Sequence, residues 1–142
     1  MKLDLGGRIN SPDGYRTLDK NPPADFILDL EADSLKDLYG QCESIRAVDI
    51  LEHIDRKKLC PLMDEFWECL KDGGTLYIEV PKAGTYTSFV DPTHVSFFVE
   101  GTFDYFRPFL SYFGYVKHHW EYEQPPTLIA GGERIQLIMK KI

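Results

Sequence analysis

Long apolar runs, paired cysteines, internal repeats and basic patches are absent or scarce in this sequence, and each shortage removes a class of function. No apolar run approaches the roughly 20 residues that cross a bilayer. No signal-type segment precedes the first strand, so a soluble, cytoplasmic protein with no membrane partner is expected. Cys42, Cys60 and Cys69 are odd in number and lack metal-ligand spacing. Cys60 and Cys69 fall inside a helical pattern, which fits reduced thiols rather than a disulfide framework. Basic residues cluster only at Arg56-Lys57-Lys58 and Lys140-Lys141, against a net charge of −7. A chain of that sign repels a phosphate backbone, so no nucleic-acid partner is expected and a small acceptor is easier to hold. No G-x-G-x-x-G fingerprint opens a helix, and that helix N-terminus is what holds a dinucleotide pyrophosphate.

What remains suits a single domain over residues 1–142 with a real core. Leu3–Leu5, Tyr15–Leu18 and Phe26–Leu28 read as short strands, ending at Gly6-Gly7, Asp19 and Asp29-Leu30. A short helix is expected over Ser34–Tyr39 with Ser34 as N-cap. Ile45–Ile50 reads as a buried strand. Leu59, Leu62, Met63, Phe66 and Leu70 recur at helical spacing, with Asp55 as a cap and Gly73-Gly74 as the stop. Thr75–Val80 is a β-branched strand closed by Pro81. Residues 82–96 read as irregular, followed by a helix through Phe103, Phe106 and Leu110, shortened or kinked at Pro108. Val116–Tyr122 and Arg134–Lys141 read as two strands, antiparallel because the loop of residues 123–133 between them is short. On the first of these strands, His118 and His119 would point to opposite faces. The fold class is therefore α/β, a mostly parallel sheet finished by an antiparallel hairpin. Its weak point is the first crossover, because residues 8–14 are turn chemistry with no room for a helix.

In an open parallel sheet, ligands bind beyond the carboxyl ends of the strands. Here those ends suit a nucleoside. Gly6-Gly7 lets a ligand approach the backbone, Asp19 can accept from ribose hydroxyls, and Asp29 with the Leu30 N–H can meet an adenine edge. Each signal is weak alone, but their order along successive strands is harder to obtain by accident.

The runs Leu3-Asp4-Leu5-Gly6-Gly7, Gly14 to Asp19 and Ala24 to Leu30 resemble the Rossmann-like (class I) S-adenosylmethionine-dependent methyltransferases. They are most similar to type 11-like members, in a short variant lacking the first helix. Val48-Asp49-Ile50-Leu51-Glu52-His53-Ile54, Leu70 to Leu76 and Asp91-Pro92-Thr93-His94-Val95-Ser96-Phe97-Phe98 continue the likeness over residues 3–113. The resemblance implies a Rossmann-like methyltransferase sheet, N-terminally minimal, that takes S-adenosyl-L-methionine as cofactor. It implies that Asp4 and the Gly6-Gly7 backbone face the methionine end of the donor. Asp19 would hold the ribose, Asp29 and Leu30 the adenine, and the backbone at Asp49 the methionine side.

The implied activity is methyl transfer, with oxygen of a small molecule or glycan as acceptor. A hydroxyl nucleophile gains from a general base near neutral pH, for which His94 is the first candidate and His53 the second. His94 could instead hold its loop through Asp91, and His53 could cap a helix. Tyr86, Asp91 and Tyr105 are expected to line the acceptor side. No metal is assigned, because Asp91, His94 and His53 have unspecific ligand spacing. An open donor site and many aromatics favour a homodimer. The alternative function is a non-catalytic S-adenosylmethionine-binding or interaction module on the same fold.

Overall fold

The computed structural model describes residues 1–142, apart from the side chain of Ser111. Its strands are β1 (Lys2–Leu5), β2 (Tyr15–Asp19), β3 (Phe26–Ile27), β4 (Cys42–Val48), β5 (Leu70–Pro81), β6 (Trp120–Ile129) and β7 (Arg134–Lys141). They form one sheet in the order β3-β2-β1-β4-β5-β7-β6. The first five are parallel, while β7 runs antiparallel to both β5 and β6. Strand order reverses between β1 and β4, and the crevice beyond their carboxyl ends is where such sheets take ligands.

The first crossover is parallel although no helix covers it. Leu3 pairs with Arg16 on one side and Ile45 on the other. The chain turns at once, because Gly6 adopts a φ of 70° and its N–H donates to the Leu18 carbonyl at 2.7 Å.

Alternation along the strands sorts the sheet into two faces. Leu3, Leu5, Ile45, Ala47, Leu76, Ile78, Val80, Ile135, Leu137 and Met139 are all buried on one face. The helix α1 (Arg56–Cys69) contributes Leu59, Leu62, Met63, Phe66 and Cys69 to the same core. Ser44, Arg46, Thr75, Tyr77, Gln136 and Ile138 alternate with these and stay partly exposed. A parallel sheet normally has helices on both faces. Here the bare β1–β2 loop and the six-residue β2–β3 link leave one face largely uncovered. Phe66 is fully buried. Phe66→Ala should therefore lower unfolding free energy by about 3–5 kcal/mol, readable by urea denaturation.

Asp55 caps α1 as the sequence indicates, accepting from the Lys57 N–H at 2.8 Å. Several other elements differ from the sequence reading. The expected helix at Ser34–Tyr39 is a single 3-10 turn, Lys36–Leu38, with Leu35 rather than Ser34 at its N-cap. The strand expected at Ile45–Ile50 is displaced to Cys42–Val48, since Leu51–His53 winds into a 3-10 turn.

Helix α1 stops at Cys69, not at Gly73-Gly74. Leu70 already pairs with Cys42, and the glycines sit in the register irregularity that follows. Residues 82–96 include a short helix, α2 (Tyr86–Val90). The helix expected around Phe103 is two 3-10 segments, Glu100–Phe106 and Pro108–Phe113, broken ahead of Pro108. The strand expected at Val116–Tyr122 starts only at Trp120 and continues to Ile129, through Pro125-Pro126. Prolines are tolerated there because β6 is an edge strand, and its register shifts beside them. His118 and His119 consequently precede the strand. His118 stacks on Trp67 at 4.0 Å between ring centroids and meets Glu68 Oε1 at 2.8 Å.

Candidate functional site

A cavity of about 400 Å³ opens at the strand-order switch point, within the size range of small-molecule sites. Gly6, Leu18, Asp19, Leu28, Asp29, Leu30, Ile50, His53 and Thr93 all line it. The sequence singled out Gly6, Asp19, Asp29, Leu30 and His53, and the structure brings these five to one wall system.

The strand ends present their polar groups with spare valence. Asp19 Oδ1 accepts from the Asn21 N–H at 2.8 Å, and its second oxygen has no such engagement among the described residues. Asp29 Oδ1 accepts from the Glu31 N–H at 2.9 Å, while the Asp29 N–H donates to Asp33 Oδ2. Between them the Leu30 N–H donates to no group among the described residues, although Leu28 donates to the Asp19 carbonyl. A free carboxylate oxygen at Asp19 suits ribose hydroxyls. A carboxylate and a free N–H at successive residues suit the donor–acceptor edge of adenine. These residues therefore fit an adenosyl group.

Space at the turn is set by glycine. A Cβ on Gly6 would stand 2.3 Å from Ile50 Cδ1, and a Cβ on Gly7 would stand 2.0 Å from Asp4 Oδ2. Gly6→Ala should thus push Ile50 into the cavity and strain the positive φ. The expected result is about tenfold weaker nucleoside binding by calorimetry and a loss of about 1–2 kcal/mol in stability. Unchanged values for both would remove Gly6 from the site.

Asp4, Gly7 and Asp49 do not line the cavity. Asp4 is fully buried beneath Gly7 and pairs with Arg46 Nη1 at 2.8 Å. Asp49 has its carboxylate held by Arg134 at 2.6 Å and its N–H by the Glu79 carbonyl at 3.1 Å. Its neighbour Ile50 supplies the wall instead. Arg8, Lys20 and Asn21 also reach the cavity, and they were missed because turn residues carry no periodic signal.

Beside the cavity lies a second group of residues. The His53 and His94 rings meet edge-on at 4.8 Å between centroids. Asp91 accepts from the Thr93 hydroxyl at 2.7 Å and from its N–H at 2.8 Å, which holds Asp91 below the usual carboxylate range. That hydroxyl has one proton, already given to Asp91, so at 3.0 Å it must accept from His53 Nδ1–H. His94 Nδ1 donates to the Ser88 carbonyl at 3.0 Å. Both imidazoles are thereby set with Nδ1 protonated and Nε2 free. His94 Nε2 also lies 3.6 Å from Asp91 Oδ2, within ion-pair reach across its own loop.

Glu52 completes the group and was not singled out from sequence. It is 2% exposed and neither carboxylate oxygen has a hydrogen-bond partner among the described residues. Burial pushes its carboxyl up to about 8, with the Asp49 charge adding to the effect and Arg134 opposing it.

Tyr86, Tyr105 and Asp91 lie outside the cavity lining. Tyr86 is 75% exposed on α2, and Tyr105 packs against Phe113 and Tyr115. Among the described residues, no helix is long and apolar enough to cross a membrane.

No family model matches the chain, and no curated protein is similar to it. The likeness is to solved structures. A S-adenosylmethionine-dependent methyltransferase from Archaeoglobus fulgidus is 17% identical with a TM-score of 0.63, covering 99% of this chain and 85% of that one. A 16S rRNA (adenine(1408)-N(1))-methyltransferase from Catenulisporales acidiphilia is 10% identical with a TM-score of 0.64, over 99% and 84%. The N-methyltransferase NodS from Bradyrhizobium japonicum WM9, in complex with S-adenosyl-L-homocysteine, is 12% identical with a TM-score of 0.57, over 99% and 76%. The chain has the Rossmann-like fold of the class I methyltransferases.

Proposed function

We propose that this protein is an S-adenosylmethionine-dependent methyltransferase that methylates an oxygen of a small molecule or glycan. The observation that carries this reading is the convergence of Gly6, Asp19, Asp29 and Leu30 on one cavity at the switch point. When bound, S-adenosylmethionine supplies a methyl group on a sulfonium, an electrophile that needs positioning more than activation. Asp19 holds the ribose, Asp29 and the Leu30 N–H hold the adenine, and the Gly6 turn gives the donor room. His53 faces the same cavity with a free Nε2, where it orients an acceptor hydroxyl. His94 packs against it and fixes its edge. A bound donor would give its methyl group to the acceptor oxygen with cleavage of the carbon–sulfur bond, and the hydroxyl proton would pass to water.

The charge of −7 and the size of the cavity favour a small acceptor over a polyanion. The rRNA substrate in the name of one structural neighbour belongs to that protein. Calorimetric titration with S-adenosylhomocysteine, followed by a screen of hydroxylated acceptors with methyl-labelled donor, tests the proposal. Saturable one-to-one binding and label transfer are expected. Donor binding without transfer to any acceptor would favour the second reading, a non-catalytic binding module. The first crossover, which has no helix between β1 and β2 among the described residues, supports that alternative.

A further inference from the structure

We propose that Glu52, His53 and His94 form the binding site of a divalent transition-metal ion at the edge of the cavity. One ligand atom from each residue lies within 4.8 Å of the others. Donors around a cation with bonds of about 2.0–2.2 Å stand about 3–4 Å apart, so small rotamer adjustments close the set. A carboxylate with both oxygens unpartnered is costly at 2% exposure, and a cation is one group that would satisfy it.

The histidines are preset as ligands. Each Nδ1 is tied off, His53 to the Thr93 hydroxyl and His94 to the Ser88 carbonyl, which leaves Nε2 free on both rings. Outer partners of this kind fix tautomer and ring orientation in metal sites. Glu52 Oε1 is 3.9 Å from His53 Nε2, too far for a hydrogen bond and near enough for a shared cation.

The backbone holds the two halves together. The Glu52 carbonyl accepts from Val95 N–H at 2.8 Å and Ser96 N–H at 3.1 Å, locking the 51–53 turn against the 91–96 segment. Two imidazoles and one carboxylate suit manganese, iron, cobalt or zinc better than magnesium or calcium, which prefer all-oxygen sets. The sequence assigned no metal because Asp91, His94 and His53 have unspecific ligand spacing, and Glu52, 42 positions before His94, was not singled out.

The use of the ion rests on the methyl-transfer reading. His53 and Thr93 line the cavity, so with His53 Nε2 on the ion, the ion in place of the imidazole would hold the acceptor hydroxyl beside the donor. Held by Glu52, His53 and His94, the ion would supply Lewis-acid chemistry that eases loss of the hydroxyl proton to water. Methyl transfer to that oxygen, with cleavage of the carbon–sulfur bond, would give a neutral ether and S-adenosylhomocysteine.

The test uses the tag-free chain after chelator treatment, titrated with Co²⁺ and Mn²⁺, with Mg²⁺ and Ca²⁺ for comparison. One Co²⁺ should bind, with visible d–d absorption and a raised melting temperature. Glu52→Gln and His94→Ala should each weaken Co²⁺ binding by ~100-fold or more. Glu52→Gln keeps the side-chain shape, and its metal-free melting curve and S-adenosylhomocysteine titration verify that fold and donor site survive. Absent Co²⁺ binding, or binding that both variants leave unchanged, would overturn the metal site. Loss of S-adenosylhomocysteine binding by the unmodified chain would instead overturn the donor reading alone.

Discussion

Asp19→Ala should lower affinity for S-adenosylhomocysteine by ~100-fold or more, to the edge of calorimetric detection. Hydrogen bonds to a charged group contribute about 1.5–3 kcal/mol each, and on the proposed reading the carboxylate at the end of β2 accepts from both ribose hydroxyls. Asp19 lines the cavity but is not part of the buried core, so the variant should keep its melting temperature to within a few degrees. Its Oδ1 bond to the Asn21 N–H is an exposed turn contact whose loss is small. Unchanged affinity in a folded variant would move the donor away from this cavity.

Glu52→Gln should make the metal-free protein more stable, and more so as pH rises. The Glu52 carboxyl is raised from 4.5 to about 8 in the folded chain, chiefly by burial. The folded state therefore binds more protons than the unfolded state between those values. Stability is greatest below the unfolded value, falls as pH rises through the window, and levels off above about 8. Each pKa unit corresponds to about 1.4 kcal/mol, so the loss is a few kcal/mol at the alkaline end. Glutamine cannot ionise and should flatten this slope, with a gain on the order of 5–10 °C in melting temperature at pH 8. Identical pH profiles for the two proteins would show that the carboxylate is not held in a dry site.

Much of this architecture was legible in the residues. The strand ends at Gly6, Asp19 and Asp29-Leu30 could be read because a turn residue after a short apolar run fixes where a parallel strand stops, and the fold then brings those stops together. The hairpin was legible from the short link between two apolar runs, though its first strand was set too early. Pro125-Pro126 argued against a strand, and only the edge position of β6 permits them. The end of α1 was misplaced because Leu70 continues the helical spacing, while its pairing with Cys42 is a long-range fact that no local pattern carries. Glu52 escaped for a similar reason. In an extended strand it would have alternated outward, but the 3-10 turn of Leu51–His53 swings it inside. Tyr86 and Tyr105, expected on the acceptor side from their nearness in sequence to the Asp91–His94 loop, are not among the residues lining this cavity.

The central claim is that the switch-point cavity receives an adenosyl methyl donor. It is tested most directly by thermal unfolding of the unmodified chain with S-adenosylhomocysteine and, separately, with NAD. A concentration-dependent rise in melting temperature with S-adenosylhomocysteine and none with NAD is the result expected from Asp19, Asp29 and Leu30 without a pyrophosphate-binding helix. Stabilisation by NAD alone, or by neither ligand, would contradict it.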